Sequence, residues 1–342
     1  MKRCLLFFLI MAITLSGCNG IRTQTEDKVE TQEDKLQIGL SFDSFVIERW
    51  QRDRDVFVST AKKYGAEVNV QNANGDLEEQ ISQLEYLINK KMDVIVIVCV
   101  DSDRLSDTVK KAKDAGIKVI AYDRMINNAD VDMYISFDNE KVGELMANSL
   151  IVPGEKTEKV LMLCGPLSDN NVVLVEKGFR KVMEENDIAI IDTMYADGWK
   201  AELAASYIYE NMDKVMQADG IMCGNDNIAT TVLRALSEKQ LAGKINIVGQ
   251  DADLEACQRI VEGTQRMTVF KPVEKLAQTS AEYAVKLAKG ETLSGLEVVE
   301  NGEYTIPYLL LEPIAVKKEN MDEIIISSGF HLREDVYLNV PQ

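Results

Sequence analysis

"VIAYDRMINNADVDMYISF", residues 119–137, holds two short apolar runs separated by a polar turn that opens with Asp123 and Arg124. The runs are rich in Val, Ile and aromatic residues and do not alternate with polar ones, which marks strands covered on both faces. A buried strand of this kind delivers a carboxylate and a guanidinium together at its carboxyl end. In open parallel sheets that end is where ligands bind.

Working outward, the same unit repeats. "LQIGLSF" (36–42) precedes a helical stretch from about Ile47 to Tyr64, "AEVNVQ" precedes "LEEQISQLEYLINK", and "MDVIVIVCV" precedes "LSDTVKKAKDAG". Apolar residues Ile81, Leu84, Tyr86, Leu87 and Ile88 fall at three- and four-residue spacing, and Gly65 and Gly116 stand where helices stop. The pattern then restarts with "KVLMLCG", "DIAIIDTMY", "DGIMCG", "INIVGQD" and "RMTVF", with helical stretches near 173–185, 200–216, 227–239 and 253–262. Two similar series predict an α/β protein of two doubly wound parallel-sheet lobes. A further helix is expected near 273–289, and "IPYLLLEPIAV" reads as irregular.

The formal charge of −18 argues against binding a phosphate backbone, so no nucleic-acid partner is expected. Cys99, Cys164, Cys223 and Cys257 show no spacing suited to a metal or a disulfide framework and read as small buried hydrophobes. No metal and no cofactor are expected.

Polar residues collect at the strand ends. Asp123 and Arg124 follow "VIAY", Asp169, Asn170 and Asn171 follow "VLMLCG", Asn225 follows "GIMCG", Asp251 follows "INIVGQ", and Lys271 follows "RMTVF". Arg49 and Trp50 stand near the first turn of the first helix, and Trp199 follows a strand of the second series. Each has a plainer reading: Asp and Asn after strands cap helices, Trp50 shares an apolar stripe with Ile47, Phe57 and Ala61, and Arg124 with Asp123 could be a solvated pair. Their co-occurrence at one end of both series favours a shared cleft. Mixed donors and acceptors without a metal cluster suit a neutral polyhydroxylated ligand. A sugar hydroxyl donates to an ionised Asp while Arg or Lys donates to its oxygen, and the two tryptophans could cover the apolar sugar faces.

At the amino terminus, Lys2 and Arg3 precede "CLLFFLIMAITL", an apolar stretch too short to span a bilayer of roughly 30 Å. Residues 1–17 are laid out as an export signal. "LSGC" resembles the bacterial lipobox, which implies cleavage before Cys18, lipidation of that residue and attachment to the outer face of the cell membrane. Residues 18–35 are polar and charged and read as a tether.

The segments "ERWQRDRDVFV", "AYDRMINNADVDMYISFDNEKVGEL", "DNN", "DGW", "GND", "GQDAD" and "GTQRMTVFKP" resemble the D-xylose-binding branch of the periplasmic binding proteins of ABC sugar uptake. The resemblance covers nearly the whole chain after the tether. It implies a type I fold with a three-crossing hinge: a first lobe of 36–137 plus about 271–292, and a second of 138–270 plus about 293–342. It implies sugar contacts from Arg49, Asp123, Arg124, Asp169, Asn171, Asn225, Asp251 and Lys271, with stacking from Trp50 and Trp199. D-xylose is then the ligand, and an ABC permease the partner. The alternative partner is the ectodomain of a sensor histidine kinase, which some Gram-positive relatives engage. Two stretches depart from the branch, "VCVDSDRL" (98–105) and the lead-in "CGPLS", and both are expected at the rims.

An enzyme is not expected. The single histidine, His331, lies far from any nucleophile motif, and no phosphate-binding glycine loop follows a strand. The strand-end acids each have a cation or amide beside them, unlike a glycosidase pair. A DNA-binding repressor of similar architecture would begin with a helix-turn-helix, where this chain has an export signal.

Overall fold

The computed structural model describes residues 35–340 except 153 and 155. The export signal, Cys18 and nearly all of the tether lie outside the described residues.

The first lobe is built from β1 (Leu36–Phe42), α1 (Arg49–Lys63), β2 (Ala66–Asn72), α2 (Leu77–Asn89), β3 (Val94–Ile97), α3 (Ser106–Asp114), β4 (Lys118–Tyr122) and β5 (Met133–Phe137). The chain then crosses to the second lobe, which runs α4 (Asn139–Leu150), β6 (Lys159–Cys164), α5 (Asn170–Glu185), β7 (Ala189–Tyr195), α6 (Ala201–Glu210), α7 (Met212–Val215), β8 (Gly220–Cys223), α8 (Asp226–Glu238), β9 (Asn246–Gln250), α9 (Leu254–Glu262) and β10 (Met267–Phe270). It returns through α10 (Val273–Ala288), β11 (Glu297–Asn301) and β12 (Tyr304–Leu311), and ends with β13 (Ile314–Val316) and α11 (Arg333–Val336).

Two sheets result, ordered β11-β12-β5-β4-β3-β1-β2 and β13-β10-β9-β8-β6-β7. Their central strands pair in parallel and are buried on both faces, as the unbroken Val/Ile runs require. Each sheet also carries one antiparallel pair at an edge, β11 with β12 and β10 with β13, so neither is purely parallel.

The later boundary differs from the expectation. Residues 297–311 were expected in the second lobe, but β12 pairs with β5 from Tyr308↔Tyr134 to Leu311↔Phe137. The first lobe therefore continues to Leu311, and the last crossing falls between Leu311 and Ile314. Pro307 explains why the strand reads poorly: it brings no N–H to the ladder and argues against a strand interior. The turn between β11 and β12 is made at Gly302, whose φ of 66° favours glycine and where a Cβ would meet the Asn128 amide oxygen.

The three crossings lie side by side, since Asp138 N–H donates to the Leu311 carbonyl and Phe270 pairs with Ile314. In the second lobe α4 and α5 cross at backbone contact. A Cβ on Gly143 would stand 2.0 Å from the Val175 carbonyl oxygen, and one on Gly178 1.9 Å from that of Glu140. This packing ties the helix that leaves the hinge to the helix that opens with Asp169 and Asn171. All four described cysteines are buried and unpaired.

Candidate ligand-binding chamber between the lobes

The carboxyl ends of both sheets face one chamber between the lobes, with about 470 Å³ of empty space that includes open solvent. Of the residues expected to bind ligand, Arg49, Trp50, Asp123, Arg124, Asp169, Asn171, Trp199, Asp251 and Lys271 line it. Asn225 does not: its Oδ1 caps α8 by accepting from Ile228 N–H at 2.9 Å, the plainer of its two readings.

Asp123 and Arg124 do not pair with each other. Asp123 sits at φ 64°, a conformation an L residue adopts at a cost of order 1–3 kcal/mol and which the surroundings must hold. They do so through Asp123 N–H to the Ile135 carbonyl at 2.7 Å and Ser136 Oγ–H to the Asp123 carbonyl at 2.5 Å. The turn sends the Asp123 carboxylate to Arg49 Nη1 at 2.9 Å, and Arg49 also forks onto Asp53 one helical turn on. Arg124 points elsewhere. Its Nη1 reaches Asp43 Oδ2 at 2.8 Å and the Cys99 carbonyl at 2.9 Å, and its Nε lies 2.7 Å from Asp169 Oδ2 in the second lobe. Asp251, itself at φ 96°, stands 2.7 Å from Lys271 Nζ.

Asp169 does two jobs. One oxygen caps α5 by accepting from Asn171 N–H at 3.0 Å; the other accepts from Trp199 Nε1–H at 3.2 Å and meets Arg124. Trp199 lies against Gly165, where any Cβ would stand 2.5 Å from the indole. Trp50 belongs to the apolar core and also borders the chamber, with the Arg49 guanidinium 4.4 Å from its ring centre. Trp50 thus stands both in the core and at the chamber wall.

Burial and charge set the titration. Burial works to raise the Asp123 carboxyl, but Arg49, Lys271 and Arg124 outweigh it and hold the group below its ordinary value. Burial wins at Asp169, whose carboxyl is raised despite Arg124. Among the described residues, Trp50 Nε1, Arg124 Nη2 and Gln250 Oε1 are buried without a hydrogen-bond partner, and all three residues line the chamber. Unspent donors from the first lobe and an acceptor from the second suit a ligand that both gives and takes hydrogen bonds.

Asp43, Asn139 and Gln250 were not singled out in the sequence. Asp43 and Gln250 stand at the ends of β1 and β9, where the strand-end rule applied to the other positions would have found them. The two stretches that depart from the family pattern meet each other. Ser102 N–H donates to the Ser168 carbonyl at 2.9 Å, and Asn170 N–H donates to Ser102 Oγ at 3.1 Å, joining the lobes at the rim.

Behind Asp251, the Asp226 carboxyl is fully buried and accepts from Thr268 Oγ–H at 2.6 Å and Gln265 Nε2–H at 2.8 Å. Burial pushes it up from 3.8 to about 7, with Thr268, Arg259 and Gln265 opposing and Asp251 adding to the rise. The folded chain therefore holds this proton where the unfolded chain has lost it, so this group's stabilisation falls as pH rises from about 4 to about 7. Urea melts from pH 4 to 8 should show that decline, and Asp226→Asn should flatten it, partly by relieving its neighbour Asp253, also raised by burial and by Asp226. Equal slopes in the two proteins would contradict the assignment.

Among the described residues no group of three or more His, Cys, Asp or Glu is placed to hold a metal, and no helix is long and apolar enough to cross a membrane.

Residues 38–292 match the model of the periplasmic binding protein domain. The chain is 47% identical to the D-xylose-binding periplasmic protein of Haemophilus influenzae over 308 residues, covering 88% of this chain and 92% of the relative. It is 43% identical to the protein of the same name from Escherichia coli, covering 88% and 93%. Among solved structures, a carbohydrate transporter solute-binding protein from Chloroflexus aurantiacus in complex with D-glucose superimposes with a TM-score of 0.79 at 25% identity, over 88% of this chain and 98% of that one.

Proposed function

The chain belongs to the periplasmic binding protein domain family, and from that premise we propose that it is an extracytoplasmic receptor that closes its two lobes on D-xylose and delivers it to an ABC permease. The observation that carries this reading is the convergence of charged donors and acceptors from both lobes, Arg49, Asp123 and Arg124 facing Asp169 and Asn171, on one small chamber. Relatives at 47% and 43% identity that are named for D-xylose supply the choice of sugar. A ligand bridging the two sets makes its full complement of bonds only when the lobes are closed, and that differential affinity drives closure. The acids are engaged by cations and amides and none faces a second free carboxylate, so the chamber serves binding rather than hydrolysis.

The stretch at 98–105, which raised a sensor kinase as the alternative partner, has an internal use: Ser102 turns inward and fastens the rim. The permease reading is therefore preferred. Calorimetry with D-xylose, L-arabinose, D-ribose and D-glucose tests the ligand. D-xylose is expected to bind at micromolar strength, about −8 kcal/mol, ahead of the others; absence of xylose binding, or a clear preference for ribose, overturns the reading. Lipid anchoring through Cys18 is part of the same proposal, and mass spectrometry of membrane-extracted protein should find a diacylated cysteine as the first residue. An unmodified start elsewhere would refute it.

A further inference from the structure

Asn139 is the first residue of α4, just past the first crossing, and only 3% of it is exposed. Its Nδ2 is surrounded by acceptors from both lobes: Ser136 Oγ at 3.3 Å and the Phe137 carbonyl at 3.1 Å on β5, and Asn171 Oδ1 at 2.9 Å on α5. Turned over, the amide would press its own oxygen against the Phe137 carbonyl and the Asn171 oxygen. Ser136 could not relieve this, because its hydroxyl proton is given to the Asp123 carbonyl. A buried oxygen facing only oxygens is strongly disfavoured. Asn139 is thereby a fixed donor.

The consequence passes to the chamber wall. Asn171 must answer Asn139 with its oxygen, which directs its own Nδ2 at the Asp123 carbonyl, 3.2 Å, and at Asp123 Oδ1, 3.0 Å. Asn171 is thus held from both ends: reversed, its oxygen would lose the Asn139 donor and its amide hydrogens would lose the Asp123 carbonyl and carboxylate. We infer that Asn139 is a positioning residue, which through Asn171 holds the Asp123 carboxylate in the place and polarity that a hydroxyl of the bound sugar meets. The inference deepens the sugar-binding reading and rests on it for its ligand. The polarity of the wall is a property of the protein alone and can be tested without sugar.

Two variants test it, Asn139→Asp, which keeps the shape but removes the donor, and Asn139→Ala, which removes the hold on the Asn171 oxygen while Asp123 still holds its Nδ2. Calorimetry would use the sugar that the wild type binds best and its monodeoxy analogues. Asn139→Asp is expected to weaken binding by about 100-fold and Asn139→Ala by about 10-fold. In the wild type one analogue should suffer most, and in Asn139→Ala its penalty should shrink towards that of the others. Affinities within twofold of wild type, or an equal loss for every analogue, would overturn the inference. The second measurement is the side-chain amide signal of Asn171 in the unliganded protein, identified by its loss in Asn171→Asp. Its hydrogen exchange should be slowed in the wild type and fast in Asn139→Asp; unchanged exchange would overturn the inference. A wild type that fails to bind xylose yet shows these exchange changes would sink the choice of sugar and leave the positioning role standing.

Discussion

Arg124→Met should abolish sugar binding and destabilise the protein together. Arg124 is buried and joins three groups, Asp43 and the Cys99 carbonyl in its own lobe and Asp169 in the other. Methionine fills similar volume but leaves two carboxylates buried without their cation. Breaking one buried pair typically costs about 3–5 kcal/mol, because the orphaned charge stays desolvated. Both the xylose titration and the urea midpoint should fall, the titration by about 1,000-fold or more on the basis of that same cost. Binding within tenfold of wild type would mean that Arg124 is not at the centre of the site. The guanidinium cannot be replaced by lysine either, since a single ammonium has no planar fork to reach both Asp43 and Asp169.

The second large effect lies away from the chamber. Gly178→Ala should destabilise the protein by about 3 kcal/mol, at the upper end for overpacking, because the new methyl meets the Glu140 carbonyl, which is backbone and cannot swing away. Helix propensity alone predicts the opposite sign, since alanine in place of a mid-helix glycine ordinarily gains about 1 kcal/mol. A chemical melt separates the two accounts. A variant as stable as wild type would show that α4 and α5 do not cross at backbone contact. The same separation of helices would draw Asn171 from Asn139, so xylose affinity should fall beyond what stability alone explains.

These cases show what could be read from the chain and what could not. The strand-end positions Asp123, Arg124, Asp169, Asp251 and Lys271 were legible because a buried parallel strand is a short Val/Ile run and its carboxyl end faces the ligand side. Their pairing was not legible. That Asp123 turns to Arg49, while Arg124 reaches past it to Asp43 and Asp169, depends on a left-handed backbone at Asp123 held by contacts with β5. Asp169 was ambiguous between cap and site; one of its oxygens caps α5 and the other meets Trp199 and Arg124 beside the chamber. Asn225 had the same ambiguity; its Oδ1 caps α8 and it does not line the chamber. The hairpin over 297–311 escaped notice because β11 is a mostly exposed, polar edge strand and β12 contains Pro307. Gly143 and Gly178 look like weak points in helices until their partner backbones are known. Asn139 follows a strand but carries no charge, and its part appears only once Asn171 is found opposite it.

A crystal structure of the protein grown with D-xylose tests the shared cleft most directly. The sugar is expected in the chamber, with hydroxyls within hydrogen-bonding distance of Asp123 and Arg124 on one side and of Asp169 or Asn171 on the other. Sugar bound elsewhere on the surface, or touching one lobe only, would contradict it.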